Sequence, residues 1–148
     1  MADRLEGKVA MITGASRGQG EAEARLFASE GAKVLICDIL DDEGSTVAAS
    51  IRDDGYNAFY QHLDVTSESD WKIALNLAEN KYGGLNILIN NAGIGLRKPS
   101  MLDISMKEWQ QVIDINLTGP FLGTRAAAPL IRDSGGGSII NIGSIAGT

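Results

Sequence analysis

The chain has 148 residues and a net charge of −6; 44% of its residues are hydrophobic and 22% are charged. This composition is typical of one globular domain, and an acidic chain has no general electrostatic attraction for nucleic acid or anionic membranes. A single cysteine, Cys37, excludes an internal disulfide and a cysteine-based metal site, so we expect no metal. Charged residues 1–8 and the lack of a long apolar run predict a cytoplasmic protein.

Strand and helix patterns alternate along the chain. Apolar runs predict five strands, at residues 8–13, 33–38, 57–63, 86–90 and 138–142. Helical patterns predict four helices, at residues 18–30, 41–53, 67–82 and 105–132, the last of them long. This alternation is typical of an α/β fold in which helices cover both faces of a parallel sheet, and we interpret residues 1–148 as a single domain.

A glycine-rich segment lies between the first strand and the first helix. It reads Thr13-Gly14-Ala15-Ser16-Arg17-Gly18-Gln19-Gly20. Glycines allow a sharp turn and a close approach of a ligand to the backbone, and the N–H groups at a helix N-terminus attract anions. The segment therefore predicts a pyrophosphate-binding turn, although its Gly-x-x-x-Gly-x-Gly spacing differs from the commonest dinucleotide fingerprint.

The second strand ends in an acidic residue, Asp38. It lies close to the offset of ~20 residues after the glycines at which dinucleotide-binding folds carry a ribose-binding carboxylate. Taken alone, Asp38 is also consistent with a cap for the next helix. Its position at the carboxyl end of a predicted strand favours the ribose interpretation.

Further chemistry-bearing residues follow the later strands. They are Asp64-Val65, Asn90-Asn91-Ala92-Gly93, Asn116 in the long helix and Ser144 after the fifth strand. Together with Gly14-x-x-x-Gly18-x-Gly20, they resemble the short-chain dehydrogenase/reductase family, in order and along the whole chain. The resemblance implies a Rossmann-type, doubly wound parallel sheet of five strands in the order 3-2-1-4-5, with further C-terminal strands and helices beyond residue 148.

The resemblance also implies roles for individual residues. Gly14, Gly18 and Gly20 would shape the pyrophosphate turn, Asp38 would bind the ribose, and Ile39 would flank the adenine. The implied nucleotide-binding set is Gly14, Ser16, Arg17, Gly18, Gln19, Gly20, Asp38, Ile39, Asp64, Val65, Asn91, Ala92 and Gly93. Asn116 and Ser144 would be two of the four residues of the family's Asn-Ser-Tyr-Lys catalytic set, and Leu96 and Arg97 would border the cleft.

The implied function is hydride transfer between NAD(H) and a secondary alcohol or ketone, with NADP a less favoured cofactor. None of the three tyrosines is followed four residues later by a lysine, so the sequence predicts that this chain alone is inactive. A non-catalytic NAD-binding module and, less favoured, a Rossmann methyltransferase stay open. The substrate is equally open among steroid, sugar and simple cyclic alcohols, and the resemblance implies a homo-oligomer for the full-length form.

Two polar residues outside the glycine turn call for a structural interpretation. Asn116 lies between Ile115 and Leu117 and close to Pro120, which predicts a local kink where the asparagine satisfies freed backbone groups. His62 is the only histidine, and we interpret it as a strand or surface residue rather than a base.

Overall fold

The sheet is the frame on which the polar residues are arranged. The computed structural model describes residues 3–96 and 100–144. Within these residues five parallel strands form one sheet in the order β3-β2-β1-β4-β5, which confirms the predicted doubly wound sheet and its strand order. The strands are β1 Val9–Thr13, β2 Lys33–Asp38, β3 Ala58–His62, β4 Ile87–Asn90 and β5 Ser138–Asn141.

Helices cover both faces of this sheet. On one face lie α1 (Gly18–Ser29) and α2 (Asp41–Asp53), and the other carries α3 (Glu68–Tyr82) and α5 (Gly119–Asp133). A shorter helix, α4 (Met106–Ile113), precedes α5. No helix in the described ranges is long and apolar enough to cross a membrane.

The central strands are buried on both sides because successive side chains point to opposite faces. Ala10 and Ile12 of β1 pack with Ile36 of β2 in the cluster beneath α1 and α2. Met11 and Leu35 point the other way and pack in the cluster beneath α3 and α5. The near-continuous apolar runs in the sequence therefore reflect burial on both faces rather than a one-sided sheet.

The predicted long helix over residues 105–132 is confirmed as a continuous helical segment, Met106 to Asp133, but it contains a π-helical turn that the sequence did not predict. Helix α4 begins at a capping box made by Ser105 and Glu108, and a π-helical turn, Asp114–Thr118, separates α4 from α5. The irregularity expected around Asn116 is thus present. The Asn116 side chain does bond to backbone groups, and these belong to Ile94 in a neighbouring loop, a partner that the sequence did not identify.

Candidate functional site

A cleft of about 390 Å³ opens at the carboxyl ends of the strands. It lies at the end of β1, where the strand order reverses direction. The chain runs from β1 through β2 to β3 on one side and continues with β4 and β5 on the other side of β1. In open α/β sheets this switch point is where ligands bind. The lining residues are Gly14, Arg17, Gly18, Asp38, Ile39, Leu40, Leu63, Asp64, Val65, Asn91, Ala92, Gly93, Ile94 and Ile115.

The glycine turn after β1 lines this cleft, and it lies in close contact with the loop after β4. Gly14 has a φ of +64°, and a Cβ on it would lie 2.8 Å from the Cα of Ala92. A Cβ on Gly20 would lie 2.5 Å from the Asn91 side-chain nitrogen. Side chains at these two positions would push the loop after β4 away from the turn, so glycine is required for the close approach.

A polar seam joins the ends of β1 and β4. The Thr13 hydroxyl accepts hydrogen bonds from the backbone N–H groups of Asn91 (3.1 Å) and Ala92 (3.0 Å) and donates to the Ile89 carbonyl (3.3 Å). The Asn91 amide donates to the carbonyls of Thr13 (2.9 Å) and Gly14 (3.1 Å). Sequence reasoning missed Thr13, although a hydroxyl that ends an apolar strand just before a glycine turn was a readable signal.

Asp38 is held firmly at the end of β2. One carboxylate oxygen accepts from the Ser16 N–H (3.0 Å), and the other accepts from the N–H groups of Ile39 (2.8 Å) and Leu40 (3.2 Å). The N-cap of α2 is Leu40, without a side-chain cap, so Asp38 does not cap that helix. Three backbone donors instead fix a buried carboxylate at the edge of the cleft.

The opposite wall of the cleft is apolar and is also anchored. Val65 lies there with Leu63 and Ile115, two lining residues that sequence reasoning missed. The Val65 carbonyl accepts a hydrogen bond from the buried indole of Trp71 (2.9 Å), and the Asp64 N–H donates to Asp70 (3.0 Å). This apolar wall and the residues that follow Asp38 line the same cleft.

The loop after β4 is fixed by Asn116. The asparagine carbonyl oxygen accepts from the Ile94 N–H (2.8 Å), and its amide donates to the Ile94 carbonyl (2.7 Å). Asn116 lies in the π-helical turn, a feature that occurs frequently at functional sites. It supports the cleft through Ile94 and does not line it.

Some predicted residues are placed elsewhere. Ser16 is buried and its hydroxyl donates to the Leu40 carbonyl, while the Gln19 amide donates to Glu23 on the outside of α1. Ser144 is exposed just beyond β5 and is not among the cleft-lining residues. Arg97 lies outside the described residues.

The charges at the cleft differ between its two sides. Arg17 brings a cation beside the glycine turn, and Asp38 and Asp64 bring carboxylates beyond it. Burial, and then the neighbouring Asp38, raise the pKa of the Cys37 thiol, so this buried cysteine is inert. In residues 3–96 and 100–144 no group of three or more potential metal-ligating His, Cys, Asp or Glu residues occurs.

Tyr60 is the tyrosine closest to this region, and its environment disfavours ionisation. Its hydroxyl lies 2.7 Å from both the Asp38 carbonyl and a carboxylate oxygen of Asp41. Burial, and then the hydrogen bond to Asp41, raise the pKa of Tyr60 above its ordinary value. Tyr60 therefore stays protonated and serves as a structural donor, not as a base.

Comparisons with known proteins agree with this geometry. The family model for short chain dehydrogenases matches residues 8–148. The chain is 48% identical over 147 residues to the 3-alpha-(or 20-beta)-hydroxysteroid dehydrogenase of Mycobacterium tuberculosis, covering 99% of the chain and 55% of that protein. It is 45% identical over 154 residues to the trans-4-hydroxycyclohexanecarboxylate dehydrogenase of Sinomonas cyclohexanicum, covering 99% and 58%.

A plant enzyme extends the same likeness. The mitochondrial borneol dehydrogenase of Lavandula x intermedia is 46% identical over 144 residues, which cover 97% of the chain and 54% of that enzyme. The chain thus spans about half the length of the curated relatives it matches. The family model matches residues 8–148, almost the whole chain. The chain therefore belongs to the short-chain dehydrogenase family.

Proposed function

We propose that this chain binds NAD(H) in the cleft and forms the nucleotide-binding part of an oxidoreductase that acts on a secondary alcohol or its ketone. The observation that carries this proposal is the fixed Asp38 carboxylate at the edge of the cleft that the Gly14 turn floors. The relatives named above, which are dehydrogenases of hydroxylated substrates, support the reaction class.

The residues present fit such a nucleotide. The close contact of Gly14 with Ala92 leaves backbone at the position where a pyrophosphate would lie, next to the N-terminus of α1 and Arg17. Asp38 would accept hydrogen bonds from the ribose hydroxyls, and the apolar wall around Val65 would contact the adenine. The bound nicotinamide supplies the hydride chemistry, and the protein supplies binding and orientation.

The same carboxylate favours NAD over NADP. A 2′-phosphate on the adenosine ribose would lie against Asp38, and two like charges at ~4 Å repel by about 4 kcal/mol at an effective dielectric constant near 20. Arg17 offsets part of this repulsion, since it lines the same cleft. It does not replace the hydrogen bonds that ribose hydroxyls would give to Asp38.

Titration calorimetry with NAD⁺ and NADP⁺ tests this proposal. We expect NAD⁺ to bind at least about tenfold more tightly, and Asp38→Asn to narrow the difference between the two affinities. The asparagine keeps one acceptor oxygen for the backbone N–H groups, so the fold of the variant is checked by circular dichroism. Asp133→Asn is the matched control, because it removes an exposed carboxylate at the end of α5. It should leave the ratio of the NADP⁺ and NAD⁺ dissociation constants unchanged. Equal or tighter NADP⁺ binding to the unmodified chain would contradict the proposal.

The chain's own residues have defined parts in the reaction. Asn116 holds the loop that carries Gly93 and Ile94 along the cleft. Ser144, which follows β5, would donate a hydrogen bond to the substrate oxygen. General acid–base catalysis needs a group that exchanges a proton with that oxygen, and the 148 residues contain no tyrosine with a lysine four positions on.

A non-catalytic NAD-binding module is the second candidate function, because that Tyr–Lys pair is absent from the sequence given. Family membership decides against the methyltransferase alternative.

We further propose that the full-length protein is a homo-oligomer. Three large apolar side chains are exposed on α4, the π turn and α5, namely Trp109, Leu117 and Phe121. Sedimentation velocity would measure the oligomeric state. The cytoplasmic location stays a prediction, which cell fractionation tests.

A further inference from the structure

Tyr60, on the edge strand β3, occupies a slot that one residue of α2 leaves open. Its ring packs against the apolar cluster beneath α1 and α2 and lies against Gly44. A Cβ on Gly44 would collide with two carbons of the Tyr60 ring and would lie 2.7 Å from the Ser16 hydroxyl oxygen. Because Gly44 has no side chain, α2 can approach both β3 and the glycine turn closely, and this approach determines where the Tyr60 hydroxyl lies.

The Tyr60 hydroxyl joins the end of β2 to the beginning of α2. Its oxygen lies 2.7 Å from the backbone carbonyl oxygen of Asp38 and 2.7 Å from a carboxylate oxygen of Asp41, the first residue of α2. The hydroxyl has one proton and donates it to one of these acceptors at a time. Both acceptors thus depend on one donor of β3, which keeps the segment between them, Ile39 and Leu40, close to that strand.

Tyr60 differs in kind from the other groups that hold Asp38. The further hydrogen bonds to Asp38 outside the strand ladder come from backbone N–H groups, those of Ser16, Ile39, Leu40 and Leu63. Among the residues that the structure describes, Tyr60 provides the one side chain that hydrogen-bonds to Asp38. Tyr60 is therefore the position at which a side chain determines how firmly Asp38 is held.

Tyr60 can affect a nucleotide only through these contacts. It is not among the cleft-lining residues, whereas Asp38, Ile39 and Leu40 are. The hydrogen bonds that ribose hydroxyls would give to Asp38, and the repulsion that a 2′-phosphate would meet there, both depend on where the Asp38 carboxylate lies. A change at Tyr60 should therefore alter the preference between NAD⁺ and NADP⁺, and not the affinity alone.

We propose that Tyr60 is a positioning residue for nucleotide specificity, whose hydroxyl holds the Asp38 backbone at the place from which the carboxylate meets the adenosine ribose. The proposal rests on the proposed nucleotide binding and deepens it. The apparent affinity of a site falls with the fraction of molecules that have the binding-competent arrangement. Without the hydroxyl this fraction falls, and NAD⁺ loses more affinity than NADP⁺, because weaker repulsion compensates NADP⁺ for part of its loss.

Tyr60→Phe tests the proposal, because it keeps the ring in its slot and removes only the hydroxyl. We expect NAD⁺ to bind about three- to tenfold more weakly, as for the loss of one hydrogen bond. The ratio of the NADP⁺ and NAD⁺ dissociation constants should fall, as titration calorimetry with both nucleotides would measure. A smaller folded fraction would weaken the binding of both nucleotides by the same factor and leave this ratio unchanged.

Tyr82→Phe is the matched control. The Tyr82 hydroxyl donates to the side chain of Asn57 at 2.9 Å, and Asn57 directly precedes β3, at the end of the strand away from the cleft. The same chemical change is thus made beside the same edge strand. It should leave both dissociation constants and their ratio unchanged.

A second measurement needs no nucleotide. The Ser16 N–H donates to the Asp38 carboxylate, so hydrogen exchange of the Ser16 amide in the apo chain reports whether that carboxylate is in place. We expect the protection factor of this amide, measured by NMR, to fall about two- to tenfold in Tyr60→Phe. It should stay unchanged in Tyr82→Phe.

The outcomes separate this proposal from the proposed function. If the unmodified chain prefers NAD⁺ and Tyr60→Phe keeps the same ratio of dissociation constants, or the same Ser16 protection, the positioning role is overturned and the proposed function stands. An equal loss of Ser16 protection in Tyr82→Phe would show that general stability controls the site, which also overturns the positioning role. An unmodified chain that binds no NAD⁺ contradicts the proposed function, and the positioning role falls with it.

Discussion

Strand β2 is almost fully buried, whereas β5 is largely exposed to water, although both strands belong to the same sheet. Val34 and Ile36 of β2 are fully buried between neighbouring strands and beneath helices. Ile140 of β5 is 39% exposed, although its register partner on β4, Ile89, is buried. In the described part of the chain, β5 pairs on one side only and no helix covers Ile140.

This contrast separates the two parts of the proposed function. The cleft lies at the carboxyl ends of β1, β2 and β4, whose residues are almost all buried, and of the edge strand β3. Its lining residues are held in place by hydrogen bonds to one another and to neighbouring elements. Ser144 follows β5, where the surrounding apolar side chains are still exposed. We therefore expect nucleotide binding to be a property of this chain and turnover to depend on additional contacts.

The largest expected effect is in turnover. The 148-residue chain should bind NAD⁺ but oxidise no secondary alcohol above background, because a missing general acid–base group alone typically costs ~10²–10⁴-fold. A chimera that joins residues 1–148 to the C-terminal part of the Mycobacterium tuberculosis relative should gain activity, measured by NADH absorbance over a panel of alcohols.

Within that chimera, Ser144→Ala should lower kcat strongly and leave the NAD⁺ dissociation constant nearly unchanged. An active 148-residue chain would show that its own residues provide the proton transfer. A chimera that binds NAD⁺, folds and shows no turnover on any alcohol would favour the non-catalytic module.

Much of this arrangement could be predicted from the sequence because it depends on local patterns. The apolar runs predicted the five strands, the resemblance to the short-chain dehydrogenase/reductase family implied their order, and Asp38 could be placed by its position at a strand end. The reason for Asn116 was not readable, because its partner Ile94 is distant in sequence and the contact depends on how the π turn meets the loop. Thr13, Trp71 and Asp70 were missed for a related reason, since their roles are hydrogen bonds to backbone atoms of other elements.

The next effect is on stability and compares the two strands directly. Ile36→Ala creates a cavity in a closed part of the core and should lower the free energy of unfolding by about 2–5 kcal/mol. Ile140→Ala removes a partly exposed side chain and should cost less than about 1.5 kcal/mol, since its surroundings are still open to water. Urea denaturation of both variants measures this, and equal losses would contradict the contrast between β2 and β5.

A glycine pair sharpens the comparison at the cleft. Gly14 and Gly55 both have positive φ values, so alanine at either costs roughly 1–2 kcal/mol of backbone strain. Only at Gly14 would the new Cβ meet the Ala92 backbone, whereas Gly55 faces open space. We expect Gly14→Ala to weaken NAD⁺ binding at least about tenfold and Gly55→Ala to leave it unchanged, as calorimetry on the folded proteins would measure. Similar affinities in the two variants would place the nucleotide elsewhere.

The smallest expected effect is the acid response of the α3 contact with the cleft wall. The backbone hydrogen bond from Asp64 is the largest cause that holds the pKa of Asp70 below its ordinary value; the Ser67 hydroxyl and His62 add to it, and burial opposes it. Because the pKa of Asp70 in the folded chain lies below its unfolded value, the stabilisation that its carboxylate contributes is present above about pH 4, the ordinary value. This stabilisation is lost as the pH falls through the folded pKa.

The hydrogen-exchange protection of the Asp64 amide should therefore drop in this acid range in the unmodified chain. It should change less in Asp70→Asn, which has no carboxylate to protonate. Asp133→Asn, whose carboxylate pairs with Arg132 at the surface, should retain the full drop at Asp64. An identical acid drop in Asp70→Asn would mean that global unfolding, not the Asp64–Asp70 contact, controls the cleft wall.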